Sequence, residues 1–323
     1  MADVPADAPP VRPDDPGLAD AAAGLVGAYL HIPFCRRVCP YCDFAVVAGA
    51  EDRMGRYVDA LVAEIGGLEP FARPLDAVFV GGGTPTRLPA DLHGRVLGAL
   101  RERFGVSTDV EVSLEANPED WSPELAEGLV RAGFTRVSFG AQSFDPSVLA
   151  ALGRMHAPAD STRAITEART AGFASISVDL IFGTPGETLD SWCASVERAL
   201  DPGIDHLSMY ALTVELGTPL SRAVRAGAPA PDPDLQADMW EAADELAATA
   251  GFVRYETSNV ARPGHPCRYN LLTWAQGEYA AAGLGAHGHR EGVRTRNVRR
   301  LDRYLETVEA GRSPVQGSER IVG

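Results

Sequence analysis

The sequence predicts an α/β fold built on a parallel sheet, and three observations point there. Short β-branched runs alternate with helix-like stretches from about residue 25 onward. Each strand-to-strand step covers roughly 30 residues, the length of a βαβ unit. Polar residues and glycines gather just after the C-terminal ends of the runs, at Cys35, Gly81–Gly83, Glu115, Gln142 and Asp179. That edge is where parallel α/β barrels and sheets carry their sites.

The expected strands are Ala28–Ile32, Ala77–Val80, Val110–Glu115, Arg136–Gly140, Ser175–Ile181 and His206–Leu212. Helix-like segments fall between them around 52–68, 89–103, 122–132, 160–171 and 188–199. Periodicity leaves open whether the sheet closes, opens partly or lies flat. Residues 1–24, rich in Pro, Asp and Ala, read as a disordered tail. The αβ rhythm occupies 25–216. Near Gly217 it stops, and an amphipathic helix follows, with Leu235, Met239, Ala243 and Leu246 on one face. An Arg-rich strip (Arg290, Arg294, Arg296, Arg299, Arg300) and a short helix come next. Residues 217–323 therefore read as a smaller accessory region packed onto the sheet. The final SERIVG finishes no evident element, which suggests a chain cut short before a further domain.

The net charge of −15 argues against nucleic-acid binding and allows at most peripheral contact with an anionic membrane. Every basic residue is Arg, so neither a lysine Schiff base nor a lysine-dependent phosphate loop is available. The five cysteines include three within eight positions, which is not a disulfide framework. The N-terminus lacks the pattern of a signal peptide, and no apolar run approaches the ~18 residues of a membrane span. The expected compartment is the reducing cytoplasm.

The strongest motif is HIPFCRRVCPYCDF, with Cys35, Cys39 and Cys42 at positions i, i+4 and i+7. Thiolates so spaced on a loop can hold three irons of a cubane and leave the fourth without a protein ligand. An open iron can be chelated by a small molecule bearing an amine and a carboxylate. The competing reading is a zinc-dependent interaction domain, with Cys267, His265 or His31 as a fourth ligand, although structural zinc favours two separated pairs. The run FVGGGTPT puts three glycines at a strand end, where backbone can approach a ligand or simply make a tight turn. Single polar residues follow later strands. Glu115 can accept from ribose hydroxyls, Gln142 and Arg154 can hold a carboxylate or ribose, and Asp179 can meet an amine, hydroxyl or adenine. Cys193 reads as a small core residue, and Cys267 is ambiguous.

With these stretches in hand, the chain resembles the oxygen-independent coproporphyrinogen III oxidases, radical-SAM proteins, and within them the HemW-type haem chaperones. The resemblance runs from Tyr29 to about Tyr304, through YLHIPFCRRVCPYCDF, VFVGGGTPT, SLEANPE, RVSFGAQSFD, LGRMH, VDLIFGTPGET and YETSN…GLGAHGH. It implies a partial six-stranded (β/α) barrel carrying a [4Fe–4S] cluster on Cys35, Cys39 and Cys42. It further implies S-adenosylmethionine held by Tyr29, Gly82, Gly83, Thr84, Glu115, Gln142, Arg154 and Asp179, with Tyr41 beside the adenine. Two departures matter. The oxidases carry a further Cys two positions after the third, where this chain has Phe44, and this favours the chaperone reading over the oxidase. The chaperones show HNxxYW where this chain has Tyr269-Asn270 and, four residues on, Trp274. A tyrosine can ligate ferric haem, and His287 or His289 offers an alternative. Implied partners are haem, S-adenosylmethionine, a haem-acceptor protein and a second copy of the chain.

Overall fold

In the computed structural model the described residues are 21–201 and 203–321, so the expected disordered tail lies outside them up to residue 20. Its last part is ordered: Ala22 sits in a helical turn and packs against Tyr255, Ala261 and Leu271.

The first half of the chain alternates as expected. Strand β1 is Val26–Ile32, followed by two short strands, β2 (Phe34–Cys35) and β3 (Val47–Ala48). Then come β4 (Leu75–Gly82), β5 (Val106–Ala116), β6 (Arg136–Gln142), β7 (Ser175–Phe182) and β8 (His206–Ala211). The helices are α1 (Met54–Gly67), α2 (Ala90–Phe104), α3 (Pro123–Ala132), α4 (Pro146–Ala151), α5 (Pro158–Ala171) and α6 (Leu189–Leu200). In α1 the buried residues Tyr57, Val58, Leu61 and Ile65 recur at the spacing of one helix face. Helix α3 starts where Ser122 accepts from the Leu125 amide, and it stops at Gly133 in the left-handed conformation.

Strands β1, β4, β5, β6, β7 and β8 pair in that order, all parallel. The sheet curls, because side chains from five consecutive strands line one small cavity: Phe79, Glu115, Ser138, Asp179 and Tyr210 share its wall. This is a partial, six-stranded (β/α) barrel. Its lumen is polar on the floor, with Ser113, Arg136, Ser177 and His206 facing inward, while the alternate residues Val78, Leu114, Val137, Val178 and Leu207 are buried outward against the helices.

The second half holds α7 (Pro219–Arg225), α8 (Pro233–Thr249), β9 (Val253–Arg254), β10 (Asn259–Ala261) and α9 (Arg268–Trp274). It continues with β11 (Glu278–Ala282), β12 (His287–Arg290), β13 (Val293–Asn297), α10 (Leu301–Glu309) and β14 (Val315–Arg320). This region joins the sheet instead of lying upon it. Strand β11 runs parallel to β1, with Gly27 opposite Tyr279, and β12–β14 extend that edge antiparallel. At the other edge β10 pairs antiparallel with β8, giving a 12-stranded order of β14-β13-β12-β11-β1-β4-β5-β6-β7-β8-β10-β9. The terminal Ser318–Arg320, read from sequence as finishing no element, belong to β14 and pair with β13. One hydrophobic core runs through both halves, from Leu30 and Val178 to Met239 and Leu305. Cys193 is not in it: the thiol side of α6 is partly exposed, while its neighbour Trp192 is buried and donates to the Met239 carbonyl at 2.7 Å.

Candidate cluster and nucleotide site

The three cysteines lie on the loop that leaves β1, and the loop is held at both ends. Its start pairs with its finish, Phe34 opposite Val47 and Cys35 opposite Ala48. The buried His31 ring spans it. Nε2 lies 2.8 Å from the Ala45 carbonyl, which can only accept, so Nε2 carries the proton and Nδ1 accepts from the Tyr29 hydroxyl at 3.0 Å. Burial lowers the His31 pKa to about 4, so the ring is neutral at pH 7. In the middle of the loop the Leu220 amide donates to the Pro40 carbonyl at 2.9 Å, and Tyr41 packs on Val148, Leu152, Ile181 and Leu212.

The glycine run serves this packing. A Cβ on Gly82, which has φ +118°, would sit 2.4 Å from the His31 ring, and one on Gly83 would sit 2.7 Å from the Pro33 carbonyl carbon. From sequence these glycines stood open between ligand approach and a tight turn, and the family resemblance implied contact with S-adenosylmethionine at Gly82 and Gly83. Their first requirement is that β4 and the cysteine loop touch.

All three thiols are partly accessible. Burial pushes the Cys35 thiol up to about 11, partly offset by the Thr84 hydroxyl, and burial also raises Cys42. Metal binding would take these protons off. Among the described residues no three His, Cys, Asp or Glu side chains converge as a single ion requires. Separated thiolates on one loop fit a cubane, whose irons sit at different corners. The residues suggested as a fourth zinc ligand are engaged elsewhere. Both His31 nitrogens are bonded, and Cys267 is buried on the lumen floor beside Glu111 and Arg136. His265 lies beside Ser175 and Asp205 at the opposite end of the strands.

Around the loop the strand ends deliver the expected polar residues. Thr84 donates to the Cys35 sulfur at 3.6 Å, and Arg154 donates to the Cys39 sulfur at 3.7 Å. Glu115 accepts from the Gly82 amide at 2.8 Å, and desolvation pushes its carboxyl up to about 7. Desolvation likewise raises Asp179, which accepts from Ser138 at 2.8 Å. Gln142 closes β6 with φ +64°, a left-handed conformation that costs a non-glycine residue energy and recurs at binding sites. Tyr29 faces the lumen and stacks near Phe79, with ring centroids 6.3 Å apart.

Tyr269 joins the same wall, 6.1 Å from Tyr29 and 5.2 Å from Phe79, and burial raises its phenol well above the ordinary range. His287 is elsewhere: exposed on β12, lowered in pKa by partial burial and by Arg294, Arg296 and Arg299. His289 is buried, with Nδ1 2.9 Å from the Gly277 carbonyl. Phe44, at the place of the oxidases' further Cys, is 63% exposed. Sequence reasoning gave no role to Asn117, Glu119 or His156, which the structure gathers around Arg154. Their positions in LEANPE and LGRMH, directly beyond strand and helix ends, were the available signal.

The model of the radical SAM superfamily matches residues 29–199, the cysteine loop and most of the barrel. The chain belongs to the radical SAM superfamily. With membership come the superfamily's cofactors, a [4Fe–4S] cluster and S-adenosylmethionine. Similar proteins include the heme chaperone HemW of Mycobacterium tuberculosis, 44% identical over 317 residues, covering 95% of this chain and 80% of that protein. The heme chaperone HemW of Bacillus subtilis is 35% identical, covering 92% and 79%. The coproporphyrinogen III oxidase HemN of Escherichia coli superposes with a TM-score of 0.81 over 94% of this chain and 74% of that one. At 24% identity that likeness speaks to the fold alone. No helix among the described residues is long and apolar enough to cross a membrane.

Proposed function

We propose that this protein is a haem chaperone that binds haem beside a SAM-ligated [4Fe–4S] cluster and hands the haem to an acceptor protein. The observation that carries the reading is the 44% identity, across nearly the whole chain, with a protein named heme chaperone HemW. The oxidase reading has the fold in its favour, but an exposed Phe44 stands where the oxidases have a cysteine.

In this reading Cys35, Cys39 and Cys42 ligate the cluster. When bound, the cluster supplies an iron open to the amine and carboxylate of S-adenosylmethionine. Arg154 faces the carboxylate; its Nε is buried and without a protein partner, a donor waiting for an acceptor. Glu115 and Asp179 take the ribose and amine, Gly82, Gly83, Thr84 and Gln142 shape the mouth at the C-terminal ends of the strands, and Tyr29 and Tyr41 supply aromatic walls.

For the haem iron, the chemistry favours His287 over Tyr269. A phenol ligates ferric iron as phenolate, and burial among Tyr29, Phe79 and Tyr279 holds Tyr269 protonated. His287 is exposed and neutral, and Arg294, Arg296 and Arg299 around it can pair with haem propionates. The test is a visible-absorption titration of the anaerobically reconstituted protein with haem. Saturable one-to-one binding is expected, weakened at least tenfold in His287→Ala and little changed in Tyr269→Phe. The reverse pattern moves the ligand to Tyr269. No binding by wild type rejects the chaperone reading and makes coproporphyrinogen turnover the next assay.

A further inference from the structure

Cys35 and Cys39 each receive a hydrogen bond from a side chain, and one further side chain joins the two donors. Thr84 Oγ1 lies 3.6 Å from Cys35 Sγ, and Arg154 Nη1 lies 3.7 Å from Cys39 Sγ. Between the donors stands Asn117, just past the end of β5. Its Nδ2 is 2.9 Å from Thr84 Oγ1, and its Oδ1 is 2.5 Å from Arg154 Nη2.

The direction of every bond in this chain is forced. A guanidinium only donates, so the amide oxygen of Asn117 must face Arg154. The amide nitrogen then faces Thr84, where it can only donate, and the Thr84 oxygen accepts. The Thr84 hydroxyl proton is thereby left free for the Cys35 sulfur. One carboxamide, by presenting opposite ends, leaves both neighbours able to donate to sulfur. No other residue type of that size supplies a donor and an acceptor in this way.

Arg154 is held from behind as well. Nη2 reaches the Gly140 carbonyl at 3.1 Å, and Glu119 Oε2 lies 3.7 Å away, with His156 Nδ1 3.3 Å from that same oxygen. The guanidinium cannot swing off the cluster without breaking these contacts.

We propose that Asn117 is a positioning residue of the cluster site, fixing the hydrogen bonds from Thr84 to Cys35 and from Arg154 to Cys39 and, through them, the cluster's reduction potential. The proposal rests on the cysteines being the cluster ligands. Hydrogen bonds to thiolate sulfur withdraw negative charge and stabilise the reduced cluster, raising its potential. Asn117 itself touches neither cluster nor S-adenosylmethionine in this scheme.

The experiment uses the full chain, reconstituted anaerobically, with iron and sulfide analysed and the midpoint potential read by EPR-monitored redox titration. Thr84→Ser keeps the hydroxyl and is expected to hold the wild-type potential. Thr84→Val removes it and is expected to shift the potential downward. Asn117→Ala is expected to lower the potential by itself and to shrink the Ser–Val difference at position 84, because the Thr84 proton is no longer directed at Cys35. Equal potentials for Thr84→Ser and Thr84→Val overturn the proposal. A Ser–Val difference that persists undiminished in the Asn117→Ala background overturns it too, since Thr84 would then act without Asn117. A wild-type chain that takes up no iron and sulfide instead refutes the cluster assignment on which the proposal stands.

Discussion

At the scale of single residues, the site is governed by how closely β4 approaches the cysteine loop. Gly82 combines a left-handed φ of +118° with a Cβ position 2.4 Å from a ring that is itself bonded on both nitrogens. Gly82→Ala should therefore cost at least about 2 kcal/mol and release the loop. Thermal denaturation and iron content after reconstitution are expected to fall together; unchanged values for both would mean that the strand and loop do not depend on each other. The cysteine triplet, the glycines and the polar residues Glu115, Gln142 and Asp179 of β5, β6 and β7 were legible in the sequence, because each lies towards the C-terminal end of a recognisable strand or just beyond it. Asn117 was written in the same motif and passed over. Its importance comes from two partners 33 and 37 positions away, which no local pattern reveals. The Tyr269 phenol was identified as a candidate ligand, but its burial among three aromatic rings was not visible until the fold brought β1, β4, α9 and β11 together.

At the scale of elements, the edge beyond β1 is secured by one buried carboxyl. Glu64 on α1 accepts from the Tyr304 hydroxyl of α10 at 2.6 Å, the Gly283 amide at 2.8 Å and the Asn297 amide of β13 at 2.7 Å. Desolvation nevertheless raises its pKa from 4.5 to about 7. A carboxyl raised on folding favours the folded state most below its unfolded pKa, and that advantage is lost as pH climbs through the folded value. Between pH 4.5 and pH 7 the loss amounts to about 3 kcal/mol. The stability of wild type relative to Glu64→Gln should decline over that range and level off above it, as measured by denaturant unfolding at several pH values. A difference independent of pH would show that Glu64 is already charged throughout. The six barrel strands were legible because β-branched runs bracketed by turns recur at an even step. The short helices α4, α7 and α9 were not, since six or seven residues scarcely complete two turns of a 3.6-residue period. Strand β11, EYAAA, was missed for another reason: alanine favours helix, and only its place beside β1 makes it a strand.

At the scale of the whole molecule, the division at Gly217 marks a change of sequence rhythm and not a change of core. Residues beyond it add strands to both edges of one sheet and side chains to one hydrophobic cluster. Scanning calorimetry should therefore show one cooperative transition, with equal calorimetric and van't Hoff enthalpies. Two separate transitions would mean that the halves fold independently. Ala281→Pro is expected to lower that transition by roughly 3 kcal/mol or more, because it places an unpairable residue between β1 and β12. Such a rigid shell explains why the site residues, scattered from Tyr29 to Asp179, share one edge. Parallel strands all end on the same side, and every crossover helix packs outside. In the proposed site three loop thiolates leave one iron open to S-adenosylmethionine. The decisive measurement is EPR of the reduced, reconstituted protein before and after adding S-adenosylmethionine, alongside iron and sulfide analysis. About four irons and four sulfides per chain are expected, as the cluster type requires, with a signal that changes on addition. Zinc without sulfide, or a full cluster whose signal ignores S-adenosylmethionine, would contradict that site.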